Sequence, residues 1–283
     1  MEKGERVMKK TWLITGCASG IGKGIASAAL KQGDQVVLTD RNTDKLKELE
    51  AEYPETAYAV SLDVTNNESR KAAVEETNKR FGQIDVLVNC AGYGYRGAVE
   101  ETEEPEIEKL FAVNFFGPAA LVREVLPQMR ARRNGTIVNF SSMGGIRGAI
   151  GNGWYSAAKG ALELLSDTLY KECASLGIRI MIIEPGAFRT GFYGALRGAT
   201  CHIADYEETV GSMYLENVND QQNQLGDPVR AGQTLVRVVH LDQIPKRLPL
   251  GSDSVSTLQT EYETRLEEIK TWKEYSISSD FDK

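Results

Sequence analysis

Regular alternation between short apolar runs and longer amphipathic stretches is the feature that most constrains this chain. Short runs rich in Val, Ile and Leu recur between stretches whose apolar residues have helical spacing. The run IRIMIIE at 178–184 is typical of a strand buried on both faces. Such strand–helix alternation predicts an α/β fold with a doubly wound, mostly parallel seven-stranded sheet and helices on both faces.

The pattern divides into elements without a linker that would mark a second domain. The predicted strands are 11–15, 35–40, 57–63, 84–89, 135–141, 178–184 and 247–250; the predicted helices are 23–32, 44–53, 67–81, 105–132, 154–176 and 229–241. We therefore expect a single domain over residues 1–283.

Two segments depart from the alternation. Residues 190–226 are polar and acidic with scattered aromatic residues, and they are predicted to form a substrate lid; the alternative is an interaction surface or a partly disordered excursion. Residues 252–283 are predicted to form one amphipathic, charged helical extension with a frayed end.

Charge and cysteine usage exclude several classes of protein. The net charge is −7, and the only basic cluster lies at 130–133, which argues against nucleic-acid binding. The four cysteines are scattered and form no metal or redox motif. The charged start MEKGERVMKK has no signal-peptide core, and no apolar run approaches the ~20 residues of a membrane span. We expect a cytoplasmic protein without a metal site or a membrane span.

A glycine-rich turn follows the first predicted strand. In the segment GCASGIG, glycines at 16, 20 and 22 let the backbone turn tightly and let a phosphate approach the first amides of the next helix. The spacing differs from G-x-G-x-x-G, so a plain strand–helix turn is the alternative.

The second predicted strand ends in Asp40. A carboxylate there can accept hydrogen bonds from the ribose hydroxyls of an adenosine, and its charge repels a 2′-phosphate, which favours NAD over NADP. Arg41 follows directly and could neutralise a 2′-phosphate, so NADP is the less favoured alternative. Asp40 could also simply cap the helix that begins near Thr43.

A tyrosine and a lysine lie four positions apart at the start of the predicted helix 154–176. Tyr155 and Lys159 would share one helix face, where the ammonium would favour the phenolate form of the tyrosine. Such a tyrosine can exchange a proton with an alcohol or a ketone, and Ser142, at a strand end, could hydrogen-bond the same oxygen. Taken alone, the pair could equally be a surface contact.

The candidate residues all follow the carboxyl ends of strands, where ligands bind in open α/β sheets. They are the glycine turn, Asp40, Asp63, the segment 89–92, Ser142 and the pair 185–186. Chance placement would scatter them, so this agreement favours a functional site.

With these residues in place, the chain resembles the short-chain dehydrogenase/reductase family, in its compact branch, over about residues 10–250. Thr15-Gly16-x-x-x-Gly20-Ile21-Gly22 is similar to that family's cofactor motif, and 89–92 is its N-N-A-G segment with Cys90 at the second position. The closing segment RLPLGSD and the Asp227–Pro228 helix start are similar to hydroxysteroid and retinol dehydrogenase-like members.

The resemblance implies a role for each matched residue. Tyr155 would be the general acid/base, Ser142 would orient the substrate oxygen, Lys159 would lower the tyrosine pKa and bind the nicotinamide ribose, and Asn114 would complete the tetrad through a water. The implied cofactor contacts are Gly16, Ala18, Ser19, Gly20, Ile21, Gly22, Asp40, Arg41, Asp63, Val64, Asn89, Ala91, Gly92, Tyr155, Lys159, Pro185, Gly186 and Thr190. The predicted substrate pocket comprises Tyr93, Tyr95, Met143, Gly144, Phe188 and Phe192.

The predicted function is the NAD(P)-dependent interconversion of a secondary alcohol and a ketone, on a hydrophobic substrate. The lid holds five acids against Arg197 alone, which disfavours polyanionic substrates. The alternatives are a catalytically idle regulator that only binds the dinucleotide, a sugar-nucleotide epimerase and a methyltransferase. The family further implies a homodimer or homotetramer.

Overall fold

A central parallel sheet organises the protein, in a computed structural model that describes residues 9–217 and 222–281. Its strands are β1 (Thr11–Thr15), β2 (Gln35–Asp40), β3 (Ala57–Ser61), β4 (Val86–Asn89), β5 (Gly135–Phe140), β6 (Ile178–Pro185) and β7 (Arg247–Leu250). They lie in the order β3-β2-β1-β4-β5-β6-β7, and every neighbouring pair is parallel. The predicted doubly wound, seven-stranded α/β fold is confirmed.

Helices connect successive strands and cover both faces. They are α1 (Gly20–Gln32), α2 (Lys47–Glu52), α3 (Asn67–Phe81), α4 (Glu104–Phe111), α5 (Gly117–Arg132), α6 (Gly153–Cys173), α7 (Pro228–Val239), α8 (Ser252–Thr271) and α9 (Lys273–Ile277). Local sequence defines their ends. Asp227 accepts hydrogen bonds from two amides of the first turn of α7, and Gly33 ends α1 with φ of +92°.

The pleat of each strand sends alternate side chains into two cores. On β1, Trp12 and Ile14 pack on the side of α1 and α7, whereas Leu13 packs on the side of α3, α5 and α6. Helices α1 and α7 cross in close contact. A Cβ atom on Gly232 would lie only 2.2 Å from the backbone of Gly24. The central strands are therefore buried on both faces, and only their ends are open to ligands.

Some element boundaries differ from the sequence prediction. The predicted helix 105–132 is two helices joined by a π-helical turn at Ala112–Phe116. The predicted tail helix breaks at Trp272, between α8 and α9, and most of it is solvent-exposed. Residues 1–8, 218–221 and 282–283, which belong to the predicted start, lid and tail, lie outside the described residues.

The helical stretch 104–132 is, within the described residues, long and apolar enough by composition to cross a membrane. The expectation that no stretch would reach that length therefore needs correction. However, Leu110, Leu121, Val125 and Met129 of this stretch are buried inside the protein. A core helix passes the same compositional test, so this stretch is weak evidence for a span.

Candidate active site

A cavity of about 940 Å³ opens at the carboxyl ends of the strands. It begins at the glycine turn after β1, passes the ends of β2 to β6, and reaches the lid at 190–197. Among the predicted cofactor contacts, these line it: Gly16, Ala18, Ser19, Gly20, Ile21, Gly22, Asp40, Arg41, Asp63, Val64, Ala91, Gly92, Tyr155, Lys159, Pro185, Gly186 and Thr190. The topology thus brings residues that are far apart in sequence into one space.

The glycine turn has the form of a phosphate cradle. Gly16 and Gly20 have φ of +77° and +57°, and a Cβ on Gly22 would lie 2.2 Å from the carbonyl oxygen of Gly16. Helix α1 starts without a side-chain cap from Ser19 and without an acid in its first turn. Its first amides are therefore left for an anionic ligand, which fits the pyrophosphate of a dinucleotide.

Thr15 links this turn by hydrogen bonds to the segment that follows the neighbouring strand β4. Its hydroxyl oxygen accepts hydrogen bonds from the amides of Cys90 and Ala91, at 3.0 Å each. This role was missed in the sequence, where Thr15 entered only as part of a motif. Its position at the end of β1, beside β4 in the sheet, is the signal that could have revealed it.

Two acids line the cavity beyond the glycine turn. Asp40 accepts hydrogen bonds from the amides of Ala18, at 3.2 Å, and Arg41, at 2.8 Å. Asp63 accepts from the amide and hydroxyl of Thr65, and the hydroxyl bond lowers the pKa of this carboxyl despite partial burial. Both carboxyl groups line the part of the cavity at the ends of β2 and β3.

Ser142, Tyr155 and Lys159 meet in the middle of the cavity. Ser142 precedes a short 3₁₀ turn at Met143–Gly145 and accepts a hydrogen bond from the amide of Gly144. Tyr155 lies in the first turn of α6, and the Ser142 hydroxyl is close enough to act on its phenol. One turn later, the buried ammonium of Lys159 donates a 2.8 Å hydrogen bond to the carbonyl oxygen of Phe140.

Burial dominates the electrostatics of this group. Burial raises the pKa of Tyr155, although the hydrogen bond from Ser142 and the positive charge of Arg96 act in the opposite direction. Burial also lowers the pKa of Lys159 to about 8. Burial of the phenol therefore opposes the role predicted for Lys159, which was to lower the tyrosine pKa together with the positive nicotinamide ring, and that joint effect stays a prediction.

Asn114 lies behind the cavity wall, in the π-helical turn. It is fully buried, its amide nitrogen donates to the carbonyl oxygen of Tyr93 at 2.9 Å, and its oxygen accepts from the Tyr93 amide at 3.2 Å. A Cβ on Gly92 would lie 2.6 Å from that oxygen and 3.4 Å from the Lys159 ammonium nitrogen. Asn114 therefore stands next to the lysine, and the water it was predicted to hold stays a prediction.

Besides Asn114, two predicted site residues do not line the cavity. Asn89 is buried in the sheet, where its side chain donates to Asn139 at 2.9 Å. Tyr95 is 2% exposed and its hydroxyl donates to Glu103, so the prediction that it walls the substrate pocket is wrong. Neighbouring residues of an extended segment point to opposite sides, which turns Tyr95 away from the cavity. The other predicted pocket residues, Tyr93, Met143, Gly144, Phe188 and Phe192, do line it.

The described part of the lid folds over the cavity with its acids turned away. Phe192, Tyr193 and Leu196 line the cavity, whereas Asp205, Glu207, Glu208 and Glu216 do not. The expectation that the acidity of the lid disfavours polyanionic substrates is therefore not supported by the described acids of the lid, because none of them lines the cavity. Arg96, Asn152 and Arg197 also line it, and none of them was predicted as a site residue.

The segment after β6 is hydrogen-bonded to the start of α8. The carboxylate of Asp253 accepts a 2.7 Å hydrogen bond from the amide of Ala187, which lines the cavity next to Gly186. Helix α8 thus positions a segment that lines the cavity.

Comparison with known proteins agrees with this fold and site. The sequence model of the family described as short chain dehydrogenase matches residues 10–199. The chain belongs to the short-chain dehydrogenase/reductase family, whose members are oxidoreductases that use NAD or NADP.

Individual relatives cover much of the chain. The oxidoreductase BOA17 of Botryotinia fuckeliana is 33% identical over 273 residues, which is 96% of this chain and 100% of that protein. Human retinol dehydrogenase 8 is 39% identical over 194 residues, 66% of this chain and 61% of that protein. A short-chain dehydrogenase of Streptomyces avermitilis has 41% identity and a TM-score of 0.89, and the match covers 99% of this chain and 100% of the other. The predicted family and its retinol dehydrogenase-like members are thus found among the relatives.

Proposed function

We propose that the protein interconverts a secondary alcohol and a ketone on a hydrophobic substrate, with NAD or NADP as the cofactor and Tyr155 as the general acid/base. One observation carries this proposal: Ser142, Tyr155 and Lys159 line the same cavity as the glycine turn. A substrate oxygen at Tyr155 and a dinucleotide at the turn would therefore occupy one continuous space.

The residues of this chain provide binding and proton transfer, while the dinucleotide would supply or accept the hydride. In ketone reduction, the Tyr155 phenol gives its proton to the substrate oxygen as that oxygen gains charge, and Ser142 donates a hydrogen bond to the same atom. The positive charges of Lys159 and Arg96 stabilise the phenolate that remains. In alcohol oxidation, the phenolate takes the hydroxyl proton back.

The cofactor proposed is NAD. The Asp40 carboxylate lines the cavity beyond the glycine turn, and its negative charge would repel a 2′-phosphate at the adenosine ribose. Arg41 lines the same part of the cavity and supports NADP as the alternative.

Replacement of Tyr155 by Phe tests the proposed chemistry. Turnover should fall by roughly 10²- to 10⁴-fold, because the proton donor is lost. Binding of NADH, followed by fluorescence titration, should remain nearly unchanged. Tyr170→Phe, on the exposed side of the same helix, is the matched control and should keep wild-type turnover. Retained turnover in Tyr155→Phe would refute the assignment.

The idle regulator is the second candidate function. It predicts that the wild-type chain binds the dinucleotide without consuming it. Screening a panel of alcohols and ketones at 340 nm, with NAD(H) and NADP(H), separates the two.

We also propose a cytoplasmic homodimer or homotetramer. Leu164 on α6 is 70% exposed and Phe116, at the start of α5, is 61% exposed, which is typical of helices that pack against a second copy. Light scattering on the purified chain measures the assembly, and a monomer would contradict this proposal.

A further inference from the structure

Arg96 lies in the cavity wall beside the proposed general acid/base. It belongs to a two-residue strand, Tyr95–Arg96, which pairs with Arg197–Gly198 of the lid. Its Nη1 donates a 2.6 Å hydrogen bond to the side-chain oxygen of Asn152, the residue that precedes α6. Arg96 is therefore fixed against both the lid and the helix that carries Tyr155.

The Arg96 guanidinium has no negatively charged partner in the part of the chain that the structure describes. Its Nε is shielded from water and donates to no acceptor within residues 9–217 and 222–281. A partly buried cation with an unsatisfied donor is costly unless a partner compensates it. Burial lowers the pKa of Arg96. The groups that act to raise this pKa are the phenols of Tyr193 and Tyr155, and no carboxylate is among them.

The acids that line the cavity are confined to one half of it. Asp40 and Asp63 follow β2 and β3, in the half that fits the dinucleotide, where Arg41 and Lys45 also line the cavity. Around Tyr155 and the lid, the charged lining residues are Arg96, Arg147, Lys159 and Arg197. The substrate half is therefore cationic, and charge complementarity favours an anionic substrate there.

We infer that Arg96 binds a carboxylate of the substrate, and hence that the substrates are apolar oxo acids and the corresponding hydroxy acids. This inference rests on the proposed alcohol–ketone chemistry and adds a substrate class to it. A guanidinium binds a carboxylate through two parallel hydrogen bonds. Arg96 lines the cavity, so a substrate carboxylate bound there would compensate its positive charge.

The position of Arg96 also places the carboxylate close to the reacting carbon. Arg96 is bonded to Asn152, which directly precedes the helix turn that carries Tyr155, so a carboxylate bound to Arg96 would lie near the carbonyl that Tyr155 would protonate. The apolar part of the substrate would contact Phe188, Phe192 and Leu196, which line the same cavity.

Paired substrates that differ only in charge test the inference. Benzoylformate and its methyl ester, and 4-oxo-4-phenylbutanoate and its methyl ester, are reduced with NADH or NADPH. In the wild-type enzyme, at least one acid should exceed its ester at least tenfold in kcat/KM. Arg96→Gln should lower this acid-to-ester ratio at least tenfold, mainly through KM, and Arg96→Lys should restore part of it. Lys45→Gln, in the dinucleotide half, is the matched control and should leave the ratio unchanged.

Two kinetic outcomes would overturn the inference. One is a wild-type ratio of one or less for both pairs. The other is an equal loss for acid and ester in Arg96→Gln, which would show that Arg96 acts on Tyr155 or Asn152 alone.

A binding measurement keeps this inference separate from the proposed function. Calorimetric titration of the full chain should show phenylacetate binding at least tenfold tighter than 2-phenylacetamide, and Arg96→Gln should abolish this preference. Equal binding of acid and amide to the wild type would overturn the carboxylate site. If neither acids, esters nor acetophenone consume NAD(P)H while phenylacetate still binds through Arg96, the proposed function fails and the carboxylate site stands.

Discussion

The ammonium nitrogen of Lys159 lies 6.0 Å from the centre of the Tyr155 ring. Both groups are placed by the first two turns of α6, and Lys159 is only 5% exposed. Burying an ammonium this deeply costs folding free energy. Active sites commonly retain such destabilising groups because the function needs them. This cost can be measured.

Replacement of Lys159 by Met should stabilise the protein at pH 7 while removing turnover. Burial lowers the pKa of Lys159 from 10.5 to about 8. Below about pH 8 the lysine is charged in both the folded and the unfolded chain, so the desolvation cost is fully present, on the order of 3 kcal/mol. Between about pH 8 and 10.5 the folded chain releases its proton first, so the wild type gains stability relative to the variant.

Urea denaturation of both chains between pH 7 and 10.5 measures this difference. The stability advantage of the methionine variant should shrink as the pH rises. An advantage that stays constant, or a variant less stable at pH 7, would show that the ammonium is not buried at a cost.

Replacement of Asp40 by Ala should shift cofactor preference towards NADP. Removing the carboxylate removes its repulsion of a 2′-phosphate and leaves Arg41 to bind that group. The ratio of kcat/KM for NADP to that for NAD should rise roughly tenfold or more. The control is Asp44→Ala, an exposed residue paired with Lys47 outside the cavity, which should keep the wild-type ratio. An unchanged ratio in Asp40→Ala would place the adenosine ribose elsewhere.

Replacement of Glu101 by Gln should loosen the lid. Its buried carboxylate accepts hydrogen bonds from the Tyr214 hydroxyl at 2.6 Å and from the Ile203 and Ala98 amides at 2.8 Å each. Although burial acts to raise the pKa of Glu101, these bonds hold it below its usual value. The glutamine amide would accept fewer of these hydrogen bonds and leave a buried donor unsatisfied. This loss should lower local stability by about 1 to 3 kcal/mol.

Limited chymotrypsin digestion, read by mass spectrometry, reports on this change. Cleavage near Tyr206 and Tyr214 should be faster in Glu101→Gln than in the wild type. The neighbouring Glu100 is exposed and bonds only the Tyr206 hydroxyl among the described residues, so Glu100→Gln should show little change. Equal cleavage rates in all three chains would mean that Glu101 does not hold the lid.

Replacement of Asp253 by Ala should weaken binding of the dinucleotide. The Ala187 amide would lose its acceptor, and the segment after β6 would be free to move away from the cavity. Loss of one such hydrogen bond, about 1 kcal/mol, corresponds to roughly a fivefold rise in the Kd for NADH, measured by fluorescence titration. Ser256→Ala, on an exposed position of the same helix, should bind NADH as the wild type does. Unchanged affinity for NADH in Asp253→Ala would show that the carboxyl-terminal helix does not position the binding site.

Local rules in the sequence predicted most of the architecture. Apolar periodicity identified all seven strands of the sheet, because strands buried on both faces must be continuously apolar. The least accurate prediction was the long helix 105–132, where Asn114 lies in a π-helical turn rather than in regular helix. A π turn leaves the apolar spacing nearly unchanged, so periodicity alone does not reveal it.

By itself, the sequence determined the fold and the strand ends at which a ligand would bind, since both follow from short-range spacing and from the rule that parallel strands end on one edge. Only the tertiary structure decided that Tyr95 faces away from the cavity, that Arg96 meets Asn152 beside Tyr155, and that the described acids of the lid do not line the cavity. It also decided the pKa shifts of Tyr155 and Lys159, for which burial is the largest cause. The physical reason is that burial and charge depend on segments distant in sequence, whose contacts no local pattern encodes.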